Sequence, residues 1–380
     1  MPSISPSPVL RGEKHSFSFA QAPHEMVLEN GSRIGPVTIA YETFGRLTPA
    51  KDNAILVAHA FTGDSHVAGL YADEPDDARP GWWDSMVGPG RGIDTDRFFV
   101  ICSNILGGCA GSTGPSSLHP TSGRPYGLDF PMVTIGDMVT AQKALLDHLE
   151  IDRLVAVIGG SLGGMQTLEW CVRYPDMIRA AIPIATTMRH SALAIAFNEV
   201  ARQAIMADPN WKRGDYYGTA GPDTGLAVAR MIGHVTYLSD QAMRRKFGRR
   251  LQDKQDFSFG FDADFQVESY LRHQGNKFVQ RFDANSLLYI TKASDYFDLK
   301  EAPGKPFREP GTAGTKFLVV SYTSDWLYPT YQARELVQAL KRSGRDVSFC
   351  EIEADCGHDA FLIPDERLNT LVRGFLDGLA

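Results

Sequence analysis

Ser161 stands in VIGGSLGGMQ (157–166), with Gly159, Gly160, Gly163 and Gly164 around it. Gly159-Gly160-Ser161-Leu162-Gly163 fits G-x-S-x-G and lies directly between an apolar strand-like run, LVAVI, and a helix-forming one, the context that gives the pattern chemical meaning. A sharp strand-to-helix turn strains the serine backbone, and side chains at the flanking positions would strike the neighbouring strand and helix. The hydroxyl then projects beside a helix N-terminus, where the Leu162 N–H faces any oxyanion that develops. The bland alternative is a glycine-rich helix entry carrying an inert serine.

A serine hydroxyl attacks only when a base takes its proton and a carboxylate orients that base. Asp325 follows the apolar run KFLVVSY, and His358 follows VSFCEI, so the order Ser, Asp, His is filled, each residue after a strand-like segment. Alone, such an aspartate usually caps a helix and such a histidine is usually structural; the three together argue for nucleophilic catalysis. The turn His59-Ala60-Phe61-Thr62-Gly63 after AILVA suits a second oxyanion donor, the Phe61 N–H, with Gly63 allowing close approach. Cys356 is a rival nucleophile, but it lies on the loop of the base rather than at a strained turn, and packing is the commoner role of cysteine.

These residues need a scaffold. Short continuous apolar runs at 54–60, 97–104, 154–160, 180–185, 316–322 and 347–352 read as strands buried on both faces of a parallel sheet. Helical patterns alternate with them. Residues 134–151 open with Thr134 and Asp137 at capping spacing, 165–175 end at a proline, and 331–344 end in a basic turn and glycine. The segment EMVLENGSRIGPVTIAYETFG predicts two antiparallel edge strands across an Asn30-Gly31 turn. From 186 to 300 the chain is helix-like with no buried-strand run, which predicts a helical lid over the carboxyl edge of a mostly parallel, doubly wound α/β sheet. The domain reading is a Pro- and Ser-rich arm at 1–15, a core at 16–185 and 301–380, and the lid at 186–300.

The 380 residues are 43% hydrophobic and 22% charged, enough for a large core. The net charge of −7 argues against a general nucleic-acid binder. No apolar run approaches the roughly 20 residues that span a bilayer, and the first 17 residues lack a signal-peptide core, so a soluble cytoplasmic protein is expected. Five cysteines without a C-x-x-C pair read as reduced thiols.

From about residue 15 onward the chain resembles the homoserine O-acetyltransferase family of α/β-hydrolase-fold enzymes. The stretches that carry this are HAFTGDSH (59–66), GWWDSMVGPGRGIDTDRFFVICSN (81–104), GGSLGGMQ (159–166), ARMIGHVTYLS (229–239), TSDWLYP (323–329) and GHDAFL (357–362). The resemblance implies Ser161 as nucleophile, Asp325 as orienting acid and His358 as general base. It implies Phe61 and Leu162 as the oxyanion hole and Arg230, Asp359, Thr62 and Tyr237 as substrate-binding positions. The reaction implied is ping-pong: acetyl-CoA, as co-substrate, acetylates Ser161, and the L-homoserine hydroxyl removes the acetyl group, in methionine biosynthesis. It implies a cytoplasmic homodimer with no metal and no bound cofactor.

An amino-acid acceptor needs one cation and one anion, a need that Arg230 and Asp359 meet. MRRKFGRR (243–250) offers a place for CoA phosphates or is a solvated helix face, and Trp82-Trp83 lines a pocket or packs the core. Against the acyltransferase stand an esterase or thioesterase with the same triad and a silent interaction protein; succinyl-CoA as donor and serine as acceptor are further alternatives. By the resemblance, succinyl users tend to carry a basic residue just after the triad acid, whereas Leu327 here favours acetyl, because an unpaired buried carboxylate is costly.

Overall fold

The computed structural model describes residues 10–75, 77–299, 307 and 314–379. Its frame is an eight-stranded sheet of β1 (Lys14–Phe19), β2 (Val37–Phe44), β3 (Ala54–Ala58), β4 (Phe99–Ser103), β5 (Leu154–Gly160), β6 (Ile178–Ile184), β7 (Lys316–Tyr322) and β8 (Asp346–Ile352). The spatial order is β8-β7-β6-β5-β3-β4-β2-β1, parallel from β8 to β4, with β2 antiparallel to β4 and β1 antiparallel to β2 at one edge. Every residue of β3 and β5 is buried, as their unbroken apolar runs require. Full burial of each Val, Leu or Ile contributes roughly 1.5–3 kcal/mol, so these central strands dominate the stability of the sheet.

Helices cover both faces. On one side lie α1 (Ile135–His148), α2 (Leu162–Arg173) and α8 (Thr330–Arg342), whose apolar positions join the first core cluster. On the other, α9 (Glu366–Asp377) and the segment around Trp83 and Met86 form a second. The expected capping box opens α1: the Asp137 N–H donates to Thr134 Oγ1 at 3.1 Å, and the Thr134 N–H donates to Asp137 Oδ2 at 2.9 Å.

Between β6 and β7 the chain forms α3 (Ala192–Met206), α4 (Asp223–Tyr237), α5 (Asp240–Lys246), α6 (Gln266–Val279) and α7 (Ala284–Asp295). They have a small core of their own around Ile205, Leu226, Phe278 and Leu287. The expected lid end at residue 300 and core restart at 301 fall outside the described residues.

Two expectations about the N-terminal edge need correction. Across the Asn30-Gly31 turn only Met26–Val27 and Arg33–Ile34 pair, as a two-residue ladder outside the main sheet. The edge partner of β2 is β1, in the register Lys14↔Glu42 to Phe19↔Val37. The expected arm over 1–15 is therefore too long. Residues Arg11–Gly12 already pair with Leu70–Tyr71, and β1 begins at Lys14; residues 1–9 fall outside the described residues. An edge strand with one face open carries alternating polar residues, as KHSFSF does, and so lacks the apolar run that marks a central strand.

Candidate active site

Ser161 sits between β5 and α2 with φ 58° and ψ −121°, a conformation that costs energy in a side-chain-bearing residue. Neighbours hold it there: its N–H donates to Ile184 O at 2.9 Å, and Thr186 Oγ1 donates to its carbonyl at 2.8 Å. The flanking glycines are explained by contact. A Cβ on Gly159 would lie 2.6 Å from Ala58 O, and one on Gly163 would overlap the same carbonyl.

The three residues separated by 164 and 33 positions in the chain meet. The Ser161 hydroxyl lies 2.9 Å from His358 Nε2, and His358 Nδ1 lies 2.8 Å from Asp325 Oδ2. A carboxylate can only accept, so Nδ1 carries the proton and Nε2 is free to take the one from Ser161. Asp325 Oδ1 accepts from the N–H groups of Leu327, 3.0 Å, and Tyr328, 2.9 Å, which fixes the carboxylate plane. Ser161, Asp325 and His358 are 7%, 3% and 3% exposed, so solvent screens their interactions little. Burial drives the His358 imidazole toward its neutral form. The charge and hydrogen bond of Asp325, with Asp359 behind them, outweigh burial and leave its pKa above the ordinary histidine value.

Phe61 and Leu162 line the same cavity as Ser161, and neither N–H has a backbone acceptor among the described residues. The Phe61 turn is held by His59, whose Nδ1 donates to Ala60 O at 2.8 Å while Nε2 accepts from the Ile105 N–H at 3.2 Å. The cavity encloses about 620 Å³ of space, counting its opening, between Phe61, Phe197, Leu287, Leu327 and Tyr328, and among the described residues no Lys or Arg lines it.

A wider vestibule adjoins Phe61's neighbour Thr62 and holds Arg230, Asp359, Arg79, Lys246, Lys277 and Arg281. Arg230 Nη1 donates to Thr62 Oγ1 at 3.2 Å, and its guanidinium lies over the rings of Phe278, 4.8 Å, and Tyr237, 5.8 Å. Burial raises the Asp359 carboxyl above its usual range, against the pull of His358 and Arg230. Tyr237 lines the inner cavity, with its ring 6.0 Å from that of His358. Buried His234, beside Arg230 and Lys246, is pushed down to about 3 and stays neutral.

The undecided positions divide. Of MRRKFGRR only Lys246 lines the vestibule; Arg245 pairs with Asp355, Arg244 with Asp240, and Arg249 lies over Phe265. Trp82 lines the vestibule, whereas Trp83 is buried and donates to Phe361 O at 2.8 Å. Cys356 faces a surface hollow away from Ser161, and all five cysteines are free. Sequence reasoning missed Arg79, Lys277 and Arg281, which are scattered over 200 positions with no motif, and Tyr328, whose ring packs 5.1 Å from that of His358. Among the described residues no group of three or more His, Cys, Asp or Glu could hold a metal ion, and no helix is long and apolar enough to cross a membrane.

The lid and the triad loops are joined. Gly357, at φ +88°, has no room for a side chain: a Cβ there would lie 2.5 Å from both Ser239 N and Tyr237 O. Ser239 Oγ donates to Asp355 O, and Trp326 Nε1 donates to Leu238 O at 3.0 Å. Lid residues 237–239 thus touch both the loop of the base and the loop of the acid.

Known proteins share this sequence and fold. The alpha/beta hydrolase fold family matches residues 53–365. A homoserine O-acetyltransferase of Desulfotalea psychrophila is 70% identical over 369 residues, 97% of this chain and 95% of the relative. One from Solidesulfovibrio magneticus is 62% identical over 378 residues, covering 99% and 95%. Among solved structures, homoserine O-acetyltransferase from Bacillus anthracis superposes with TM-score 0.88 at 29% identity, covering 97% of this chain and 98% of that one. Esterase E22 superposes with TM-score 0.86 at 31% identity, covering 96% and 100%. The chain therefore belongs to the homoserine O-acetyltransferase family, built on the α/β hydrolase fold.

Proposed function

We propose that the protein transfers the acetyl group of acetyl-CoA to the hydroxyl of L-homoserine through an acetyl-Ser161 intermediate. The observation that carries this is the hydrogen-bonded chain Asp325–His358–Ser161, at 2.8 and 2.9 Å, beside a vestibule that offers Arg230 and Asp359 to an amino acid's two charges.

In acylation, His358 Nε2 takes the Ser161 proton as Oγ bonds to the thioester carbon. The carbonyl electron pair moves to oxygen, facing the N–H groups of Phe61 and Leu162. Collapse breaks the C–S bond, and the departing thiolate takes the proton from His358. Homoserine then gives its hydroxyl proton to His358, attacks the ester, and releases Ser161, which is reprotonated. This cycle calls for no metal and no bound cofactor. Arg79, Lys246, Lys277 and Arg281 at the vestibule suit the phosphates of the donor.

Acetyl is favoured over succinyl because Leu327 lines the inner cavity and, among the described residues, no Lys or Arg does: a succinyl carboxylate there would be desolvated and unpaired. We assign the working form as a cytoplasmic homodimer. Support for the dimer comes from the outer lid surface, where Leu193 and Val200 of α3 and Val228 and Val235 of α4 are 39–55% exposed.

Hydrolysis is the second reading, favoured by the fold shared with esterase E22. The test is a matrix of acetyl-CoA and succinyl-CoA against homoserine, serine and water, following thiol release and the acylated amino acid. Homoserine-dependent release with acetyl-CoA is expected. Equally rapid release in water alone would replace the transferase with a hydrolase.

A further inference from the structure

The two oxyanion donors lie on separate elements, and one buried side chain ties those elements together. Gln166, in the second turn of α2, is fully buried, and its neighbours Gln142 of α1 and Trp170 of α2 are 2% and 0% exposed. Trp170 Nε1 donates to Gln142 Oε1 at 2.8 Å, and Gln142 Nε2 donates to Gln166 Oε1 at 2.7 Å. Gln166 Nε2 in turn donates to His59 O at 3.2 Å and to Leu162 O at 3.4 Å. His59 opens the turn that carries the Phe61 N–H, and Leu162 bears the other donor. The acyl-transfer cycle described above uses none of Gln142, Gln166 and Trp170.

Chemistry fixes the direction of this chain. An indole N–H can only donate, so the Gln142 oxygen faces Trp170 and its NH2 group faces Gln166. The Gln166 oxygen must accept that bond, which leaves both of its own N–H groups for the two carbonyls. Flipping the amide would set its oxygen against His59 O and Leu162 O, and its NH2 group against that of Gln142. The Ala60 carbonyl, at the other end of the peptide unit that bears the Phe61 N–H, accepts from His59 Nδ1 at 2.8 Å and from the Gly63 N–H at 2.9 Å. A peptide unit is planar, so holding its carbonyl fixes where its N–H points. That hold is as firm as the His59 backbone, which Gln166 secures to α2. A Cβ on Gly163 would overlap Ala58 O and lie 3.1 Å from His59 O, so α2 and the turn meet backbone to backbone and Gln166 is the side chain that joins them.

We propose that Gln166 is a positioning residue for the oxyanion hole. Its two N–H groups lock the Phe61 turn to the first turn of α2 and so set the spacing of the Phe61 and Leu162 N–H groups that receive the thioester oxygen. Gln142, braced by Trp170, holds the Gln166 amide in its donating sense. This role rests on the acyl-Ser161 cycle proposed above. A hole already in place needs no rearrangement as charge develops on the oxygen, and Gln166 supplies that rigidity.

The test compares the full-length wild type, Gln166→Met and Trp170→Phe in the acylation burst with acetyl-CoA and with p-nitrophenyl acetate, and in inhibition by CoA and by a CoA thioether carrying a trifluoromethyl ketone. Ser161 Oγ adds to that ketone carbon, the carbonyl electron pair moves to oxygen and the hydroxyl proton goes to His358 Nε2, so the adduct presents an oxyanion to the hole. Methionine keeps the length of Gln166 and removes both donors. The Gln166→Met burst rate constant is expected to fall about tenfold, short of the roughly 10²–10³-fold that outright loss of an oxyanion donor costs. The inhibition constant of the ketone should rise by a similar factor, while the KM for acetyl-CoA and the inhibition constant of CoA stay near wild type. Trp170→Phe loosens the same core but leaves both Gln166 donations in place, so it should lower the melting temperature and keep a burst near wild type. A wild-type burst in Gln166→Met, an unchanged ketone affinity beside a slowed burst, or equal slowing in Trp170→Phe would overturn the proposal. If Gln166→Met does not fold, Gln166→Glu takes its place: the carboxyl accepts from Gln142 and donates at most one hydrogen, so burst and ketone affinity must again fall together. A wild-type burst with p-nitrophenyl acetate but none with acetyl-CoA would remove the donor assignment, and the Gln166 comparison is then decided on that ester.

Discussion

Replacing Arg230 with alanine should separate the two half-reactions. The guanidinium stands at the vestibule over Phe278 and Tyr237 and is steadied by Thr62, so it arrives at a carboxylate with little rotamer freedom left to lose. A hydrogen bond to a charged group contributes about 1.5–3 kcal/mol, and a forked pair to one carboxylate about 3 kcal/mol once non-additivity is allowed for. That corresponds to a fall on the order of 10²-fold in kcat/KM for homoserine. Acylation should change far less, by about threefold or below on a screened surface-cation scale, because Arg79, Lys246, Lys277 and Arg281 remain to meet the donor. The assay is stopped-flow release of CoA thiol without acceptor, for acylation, followed by mixing with homoserine, for transfer. Arg230→Lys should recover only part of the loss, since a single ammonium cannot fork. Equal losses in both phases, or full recovery by lysine, would refute the reasoning.

Three further outcomes follow from the same geometry. Ser161→Ala should abolish the CoA burst while leaving the far-ultraviolet dichroism and melting temperature near wild type; a variant that turns over at a normal rate would remove Ser161 from the chemistry. Acylation needs neutral His358, so activity falls as pH drops through its pKa, which lies above the ordinary value in part because of Asp359. Asp359→Asn should accordingly move the acid limb of the burst rate to lower pH, and an unmoved or raised limb would contradict the electrostatics. Glu42, fully buried in β2, accepts from Ser65 at 3.1 Å, His66 at 2.9 Å and Tyr71 at 2.9 Å. Glu42→Ala strands those donors and should cost about 3 kcal/mol in denaturant unfolding; a loss well below 1 kcal/mol would show that water reaches them.

What could be read from the chain depended on how local the physical constraint was. Central strands such as β3 and β5 announce themselves because burial on both faces demands an unbroken apolar run. Ser161 was legible because its strained turn needs glycines within two residues, and Asp325 and His358 because each follows such a run. Strand β1 was not, since KHSFSF alternates at an open edge and follows a Pro-rich stretch that suggests no structure. Most of the vestibule's cations escaped notice for a related reason. MRRKFGRR concentrates charge in sequence, but a helix spreads its side chains around an axis and turns only Lys246 inward, while Arg79, Lys277 and Arg281 converge from two distant segments. The tie from Gln166 to His59 O spans 107 positions and left no periodicity to detect.

The bare backbone at Gly357 has a bearing on timing. Because Tyr237–Ser239 rests directly on it, and Trp326 grips the same stretch from the acid's loop, the roof cannot lift without dragging imidazole and carboxylate out of register. An entrance standing ajar would thereby disarm the serine, so that shutting out bulk water and arming the attack would be one event.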